Sequence, residues 1–182
     1  MTITMYDAIV PRNFVGLPNI DALAGYVDGF WPTYTVLDRF APPGIDLLSI
    51  AVFPQDNADC LDVETGDATN GQAPPWFARQ VARGAAKPCL YTSAGNAQAL
   101  INVMAAAGHT RSSYRLWSAH YQAGEHICRP GGCGFPQADG TQWADTVNGL
   151  SVDQSLLSAS FFAADPPGPS VDPTILETDM FT

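Results

Sequence analysis

Eight short apolar runs, each closed by a turn signal, limit what this chain can fold into. They are 3-ITMYDAIV-10, 22-ALAGYVDG-29, 46-DLLSIAVF-53, 59-DCLDVE-64, 87-KPCLYTS-93, 114-YRLWSAHY-121, 139-DGTQWAD-145 and 150-LSVDQSLL-157. Their length and their Val, Ile, Tyr and Trp content suit buried strands, and eight is a number that closes a barrel. Two helical patterns stand among them. In 73-APPWFARQVARG-84, prolines open the segment, Gly84 closes it, and Trp76, Phe77 and Val81 share a face. In 95-GNAQALINVMAAAGH-109, Leu100, Ile101, Val103 and Met104 form an apolar stripe ahead of Gly108. The order strand, helix, strand, helix, strand from Leu61 to Tyr121 is that of parallel βαβ units. The intervals before Asp46 are short and proline-rich, with little room for full helices. The expected fold is α/β: an irregular barrel over residues 1–163 with missing or shrunken helices.

A chain of 182 residues fits one core, and 16 glycines, 15 prolines and a charged fraction of only 14% favour a loop-rich domain over long helices. The net charge of −10, with the 8 Lys and Arg spread along the chain, argues against nucleic acid as a partner, because phosphate-backbone affinity needs clustered cations. Neutral parts of a glycan can still be held by local contacts. No run approaches the ~20 apolar residues of a membrane span. The opening MTITMYDAIV lacks a basic region, an apolar core and a cleavage site, so no export signal is expected. Residues 164–182 read as a Pro-rich acidic tail without a core of its own. It is either a disordered end or an arm ordered on a neighbouring subunit through Ile175, Leu176, Met180 and Phe181.

Cys60 and Cys89 lie in apolar runs and read as small core residues. In 126-HICRPGGC-133 the Pro-Gly-Gly turn can bring Cys128 and Cys133 together, and a local disulfide is the first reading. His126 with both thiolates is the alternative, as three zinc ligands with no obvious fourth nearby. His120 reads as a packed or cleft-edge histidine, since no Ser or Cys nucleophile motif accompanies it.

The most informative stretch is 61-LDVETGDATNGQAPPWF-77, where Asp62 and Glu64 share strand parity and therefore a face. Inside a barrel they enter the lumen near the C-terminal strand ends, where active sites of parallel α/β barrels lie. Paired carboxylates are the machinery of glycoside hydrolysis. One protonates the leaving oxygen; the other stabilises or attacks the anomeric carbon, or activates water. The bland alternative is a strand-end pair satisfied by turn amides.

The order of motifs resembles the family 25 glycoside hydrolases, the Chalaropsis-type lysozymes, and their compact glycoside-hydrolase-like relatives in actinobacteria and their phages. The residues that carry this are Asp7, 61-LDVE-64, 88-PCLYTS-93, 116-LWSAHY-121, 141-TQW-143 and 152-VDQSLL-157, spanning Asp7 to Phe162. The resemblance implies a flattened, TIM-like barrel whose last three strands lack full helices. It implies Glu64 as general acid, Asp62 as its companion, and Asp7 and Asp153 completing a ring of carboxylates. Tyr91, Trp117, Tyr121, Gln142 and Trp143 would line a sugar cleft. The implied substrate is the N-acetylmuramic acid to N-acetylglucosamine linkage of peptidoglycan, with no metal or other cofactor. The chain departs from the family in its short front half between Asp7 and Asp46 and in Tyr-Asp-Ala-Ile in place of Asp-x-Ser in the first strand. Two functions are therefore expected to compete. One is a muramidase-like hydrolase; the other is a non-catalytic phage virion subunit, a minor tail or decoration protein, that uses the barrel to bind glycan or another subunit. The expected location is a phage particle, or the host cell wall after release.

Overall fold

The computed structural model describes residues 1–121 and 123–163, and the tail with its expected anchors lies outside the described residues. The eight runs form eight strands: β1 (Thr2–Asp7), β2 (Ala22–Tyr26), β3 (Asp46–Ala51), β4 (Cys60–Asp62), β5 (Cys89–Ser93), β6 (Arg115–Ala119), β7 (Gly140–Val147) and β8 (Leu150–Ser158). They close into a barrel in sequence order. Strands β1 to β7 run parallel, while β8 is antiparallel to both of its neighbours, β7 and β1. Asn148 and Gly149, both at positive φ, form the two-residue turn that joins β7 to β8.

The lumen follows from strand alternation. Met5, Ala22, Ala24, Leu48, Ile50, Cys60, Cys89, Trp117 and Leu157 form one buried cluster, with Tyr91 and Phe161 at its ends. Cys60 and Cys89 are thus core residues, in register with one another across β4 and β5. Below them, Arg115 is buried, donates to the Phe161 carbonyl at 3.0 Å and lies over the Phe161 ring.

The outer face is covered unevenly. Two α-helices, α1 (Ala73–Ala82) and α2 (Ala94–Ala106), follow β4 and β5 and seal Leu61, Val63, Leu90 and Leu116 with Trp76, Phe77, Ala97, Leu100 and Met104. Pro74 and Pro75 open α1 where N–H groups lack helical partners in any case, and Gly84 at φ 102° leaves it. Val81, expected on the buried face, is exposed; Gln80 is buried instead and donates to Asn57. On the other flank short 3-10 turns, Pro11–Phe14 and Tyr34–Arg39, replace helices and supply Phe14 and Leu37 against Tyr6 and Leu23. Gly25 makes room for this thin layer, since a Cβ there would sit 2.9 Å from Leu37 Cδ1 and 3.0 Å from the Tyr34 backbone nitrogen.

Among the described residues no helix follows β6. Residues 120–121 and 123–139 form an irregular loop that lays Ile127, Cys128, Phe135 and Ala138 on the outer core. The disulfide expected between Cys128 and Cys133 is not formed; both are free thiols. Cys128 Sγ lies beside His120 Nδ1 and His126 Nε2, and Cys133 Sγ beside His120 Nδ1.

Gly25→Ala should lower unfolding free energy by about 1–3 kcal/mol through overpacking of the Tyr34–Arg39 turn. Urea denaturation checks this, and an unchanged midpoint would mean that the turn swings away without cost.

Candidate functional site

At the C-terminal ends of the parallel strands the lumen changes character. Asp7 ends β1, Asp62 ends β4, and Asp153 on β8 pairs in register with Asp7. Asp7 and Asp62 are buried, and Asp153 is half-buried. One carboxyl oxygen each of Asp7 and Asp62 is buried without a hydrogen-bond partner among the described residues. Burial raises all three proton affinities. Asp7 is pushed well above the usual carboxylate range by burial, then by Asp153 and Asp62. Asp62 rises to about 8 through burial and the charges of Glu64, Asp67 and Asp28. Asp153 rises only to about 6, because hydrogen bonds from Gln142 and Asp7 favour its ionised form against burial and Asp145. At neutral pH, Asp7 therefore carries a proton that it donates to ionised Asp153, and Asp62 is largely neutral.

A second layer orients these acids. The Tyr91 hydroxyl donates to Gln142 Oε1, which leaves the Gln142 amide N–H for Asp153. Tyr91 packs on Trp117 with ring centroids 4.5 Å apart, and Trp117 Nε1 donates to Ser155 Oγ at 3.0 Å. Trp117 is 1% exposed, so it supports Tyr91 from below and is not the sugar-stacking surface that the sequence led us to expect. Tyr121, by contrast, is 38% exposed at the rim and shares a hydrogen bond with Tyr91. Trp143 sits where a β-bulge shifts the β7–β8 register, half-buried, with its indole N–H unpartnered among the described residues.

Glu64 lies just beyond β4, half-buried, and accepts a hydrogen bond from the Ser93 backbone N–H at the start of α2. Burial and then Asp67 raise its proton affinity, against that hydrogen bond. The bland expectation of a pair satisfied by turn amides thus holds in part for Glu64. It fails for Asp62, which has an orphaned oxygen.

The opening above the ring consists of two hollows that share Gly66 and Asp67. One, of about 240 Å³, is lined by Asp62, Tyr26, Asp28, Trp31 and Phe53; the other, of about 560 Å³, by Glu64, Asn70, Ser93 and Asn96. Together they make a groove that has aromatic rings at one end, amide and hydroxyl groups at the other, and carboxyls between. Tyr26, Asp28, Phe30, Trp31, Phe53 and Asp67 were not among the residues picked from the sequence. Phe30 is 93% and Trp31 58% exposed. The adjoining GFWP, in 27-VDGFWP-32, was the available signal, a pair of aromatics in a turn where no core needs them. Asp28 ties this turn to the next loop by accepting from the Val52 and Phe53 N–H groups at 2.8 and 3.1 Å. A further hollow, lined by Phe77, Val81, Lys87 and His109, lies at the opposite end of the barrel, away from the carboxyls.

No protein-family model and no curated protein matches the sequence. Among solved structures the chain is similar to GHIP of Streptococcus pneumoniae, described as a glycosyl hydrolase 25 and virulence factor participating in host cell invasion. The identity is 14%, with a TM-score of 0.53 over 86% of this chain and 87% of that one. It is similar to a bacterial lysozyme of Streptomyces coelicolor, at 16% identity and a TM-score of 0.51 over 87% and 94% of the two chains. An uncharacterised B. stearothermophilus protein superposes at a TM-score of 0.62 with 11% identity, over 90% of this chain and all of that one. The fold is that of the family 25 glycoside hydrolases, an irregular TIM-like barrel with reduced helices.

Asp62 gives a stability prediction. Its folded pKa lies above the unfolded value of ~3.9, so its contribution is fully present below pH ~4 and is lost as pH rises toward about 8. Asp62→Asn should therefore raise the Tm at pH 7, by on the order of 1–3 kcal/mol in stability, and the gain should vanish near pH 4. Thermal melts of both proteins across this range decide it. A variant less stable than wild type at pH 7 would mean that ionised Asp62 is satisfied in the folded protein.

Proposed function

We propose that this protein is a peptidoglycan-directed glycoside hydrolase of the muramidase type. The observation that carries this reading is the set of unequally titrating carboxyls under an open, aromatic-rimmed groove at the C-terminal strand ends. The likeness in fold to a glycosyl hydrolase 25 and to a bacterial lysozyme supports it. In this reading Glu64, accessible from the groove and with its proton affinity raised, delivers a proton to the glycosidic oxygen. Asp153, the ionised member of the ring, faces the positive charge that develops at the anomeric carbon. Neutral Asp7 and Asp62 have protons to donate. Asp7 spends its proton on Asp153, and Asp62 can hold a sugar oxygen or acetamido carbonyl. Trp31, Phe53 and Tyr121 offer ring faces to the sugar, a contact that needs no charge and suits a strongly acidic surface.

A second reading keeps the groove and drops the chemistry, making the chain a glycan-binding subunit of a phage particle. The exposed rings of Phe30 and Trp31 favour it, since stacking retains a sugar whether or not the acids act.

Release of reducing ends from purified peptidoglycan tests the first reading. Glu64→Gln keeps an oxygen to accept the Ser93 N–H, so the fold should survive while release falls by at least ~10²-fold. Equal release by the variant would remove Glu64 from its assigned role. Glycan binding without release by wild type would leave the second reading in its place. Trp31→Ala should raise KM several-fold at an unchanged kcat, as expected for a contact made equally in the ground and transition states.

A further inference from the structure

The irregular loop after β6 brings four ligand-type side chains to one point. The donor atoms of His120, His126, Cys128 and Cys133 all lie within 4.8 Å of one another. We propose that they form a structural zinc site of the His2Cys2 class. Around a tetrahedral zinc with Zn–S of ~2.3 Å and Zn–N of ~2.05 Å, a sulfur and a nitrogen ligand are separated by about 3.6 Å. Here Cys128 Sγ lies 3.6 Å from His120 Nδ1 and 3.5 Å from His126 Nε2, and Cys133 Sγ lies 3.4 Å from His120 Nδ1. His120 Nδ1 and His126 Nε2 are 2.9 Å apart. This is shorter than the ~3.3 Å expected of two nitrogens on one zinc, so the rings part by a few tenths of an ångström on binding.

The surroundings prepare these atoms for a cation. His126 Nδ1 lies 2.7 Å from the Gly124 carbonyl, which can only accept, so Nδ1 carries the proton and Nε2 turns its lone pair to the cluster. The Ser118 and Thr141 hydroxyls hydrogen-bond Cys128 Sγ, and Thr141 Oγ1 accepts the Cys128 N–H at 2.9 Å, so the sulfur is held in place from behind. A hydrogen bond between the histidines accounts for two rings facing each other. It does not account for two sulfurs turned onto the same nitrogen, one of them in a fully buried residue, where apolar contacts were available.

Four protein ligands leave no open position, which is the mark of a structural rather than a catalytic zinc. The site lies where a staple is needed. The described residues of 120–139 contain neither helix nor strand, yet they cover the outer core in the place of a helix. Zinc would tie the end of β6, through His120, to the three ligands of the loop. The sequence motif offered three ligands; the fourth comes from the strand end, six residues ahead of His126, and the turn between them was not predictable from spacing.

The test uses the full chain, purified under reducing conditions and titrated with Co(II) and then Zn(II) alone. One equivalent of cobalt should bind with the intense d–d bands of a tetrahedral ion and thiolate-to-cobalt charge transfer, and zinc should displace it. Zinc should raise the Tm by at least about 5 °C, and a chelator should reverse this. Cys133→Ser, at a partly exposed position that spares the core, and His126→Gln should each weaken zinc binding by at least ~100-fold. Absence of stoichiometric uptake, an octahedral cobalt spectrum, or unchanged affinity in both variants overturns the proposal. So does a Cys128–Cys133 disulfide already present in protein isolated with thiols protected. None of these readouts depends on glycan cleavage, so the site stands or falls apart from the hydrolase reading.

Discussion

Strand β8 runs against both of its neighbours, and by pairing with β1 it sets Asp153 directly opposite Asp7. That pair is what the rest of the site is built around. Two carboxyls side by side in a buried lumen cannot both ionise without large cost, so one proton is retained between them. Asp7, the more deeply buried of the two, keeps the proton, and ionised Asp153 is further favoured by a hydrogen bond from Gln142. Its amide orientation is held by Tyr91, Tyr91 rests on Trp117, and Trp117 is anchored to Ser155 on the same β8. The polarity of one carboxyl pair is thus maintained by a ring of contacts that runs from β5 through β6 and β7 back to β8.

Such a site weakens the fold that holds it. Orphaned oxygens on Asp7 and Asp62, and carboxyls kept neutral by burial, are states that an apolar lumen would avoid. The compensation lies one layer down, where Met5, Leu48, Ile50, Cys60, Cys89 and Leu157 fill the barrel, and outside, where α1 and α2 seal β4 and β5. Asp62 and Glu64 are presented at the end of β4, with Ser93 of β5 binding Glu64, so the best-covered arc of the barrel carries the groove floor. The arc from β1 to β3, wrapped only by short 3-10 turns, carries the aromatic rim. In the proposed hydrolase, rigid placement is needed for proton transfer but less so for stacking, and the division of the outer layer would suit that difference.

Much of this could be read from residues alone. Strand existence, order and parity followed from alternation and turn punctuation, because a one-residue slip in a buried strand would exchange core and surface. Asp62 and Glu64 were visible for the same reason: two acids of equal parity in an apolar run break the pattern that surrounds them. What was not legible depended on contacts between distant segments. Trp117 looks like a cleft aromatic in sequence, and only the register with Tyr91 and Gly140 shows that it lies beneath the site. The rim formed by Phe30, Trp31 and Phe53 draws on two loops that become neighbours only through the parallel pairing of β2 with β3. His120 reads from sequence as a packed or cleft-edge histidine because its partners lie on the far side of a turn that carries no periodic signal.

The loop after β6 joins these two kinds of information. In a barrel with few helices, an outer face left by a missing helix must be covered by something that does not rely on repeated backbone hydrogen bonds. A single ion bound by four side chains meets that need, because it fixes an irregular backbone at one point without a core of its own. Its position also matters for the groove. His120 continues β6, its backbone N–H donates to the Gln142 carbonyl at 2.9 Å, and the next residue is Tyr121 on the rim. An ion held at His120 would therefore brace the strand end between Gln142, which hydrogen-bonds Asp153, and the exposed Tyr121 ring. A metal without a place in the chemistry would then still help to keep the acid pair and its groove in register.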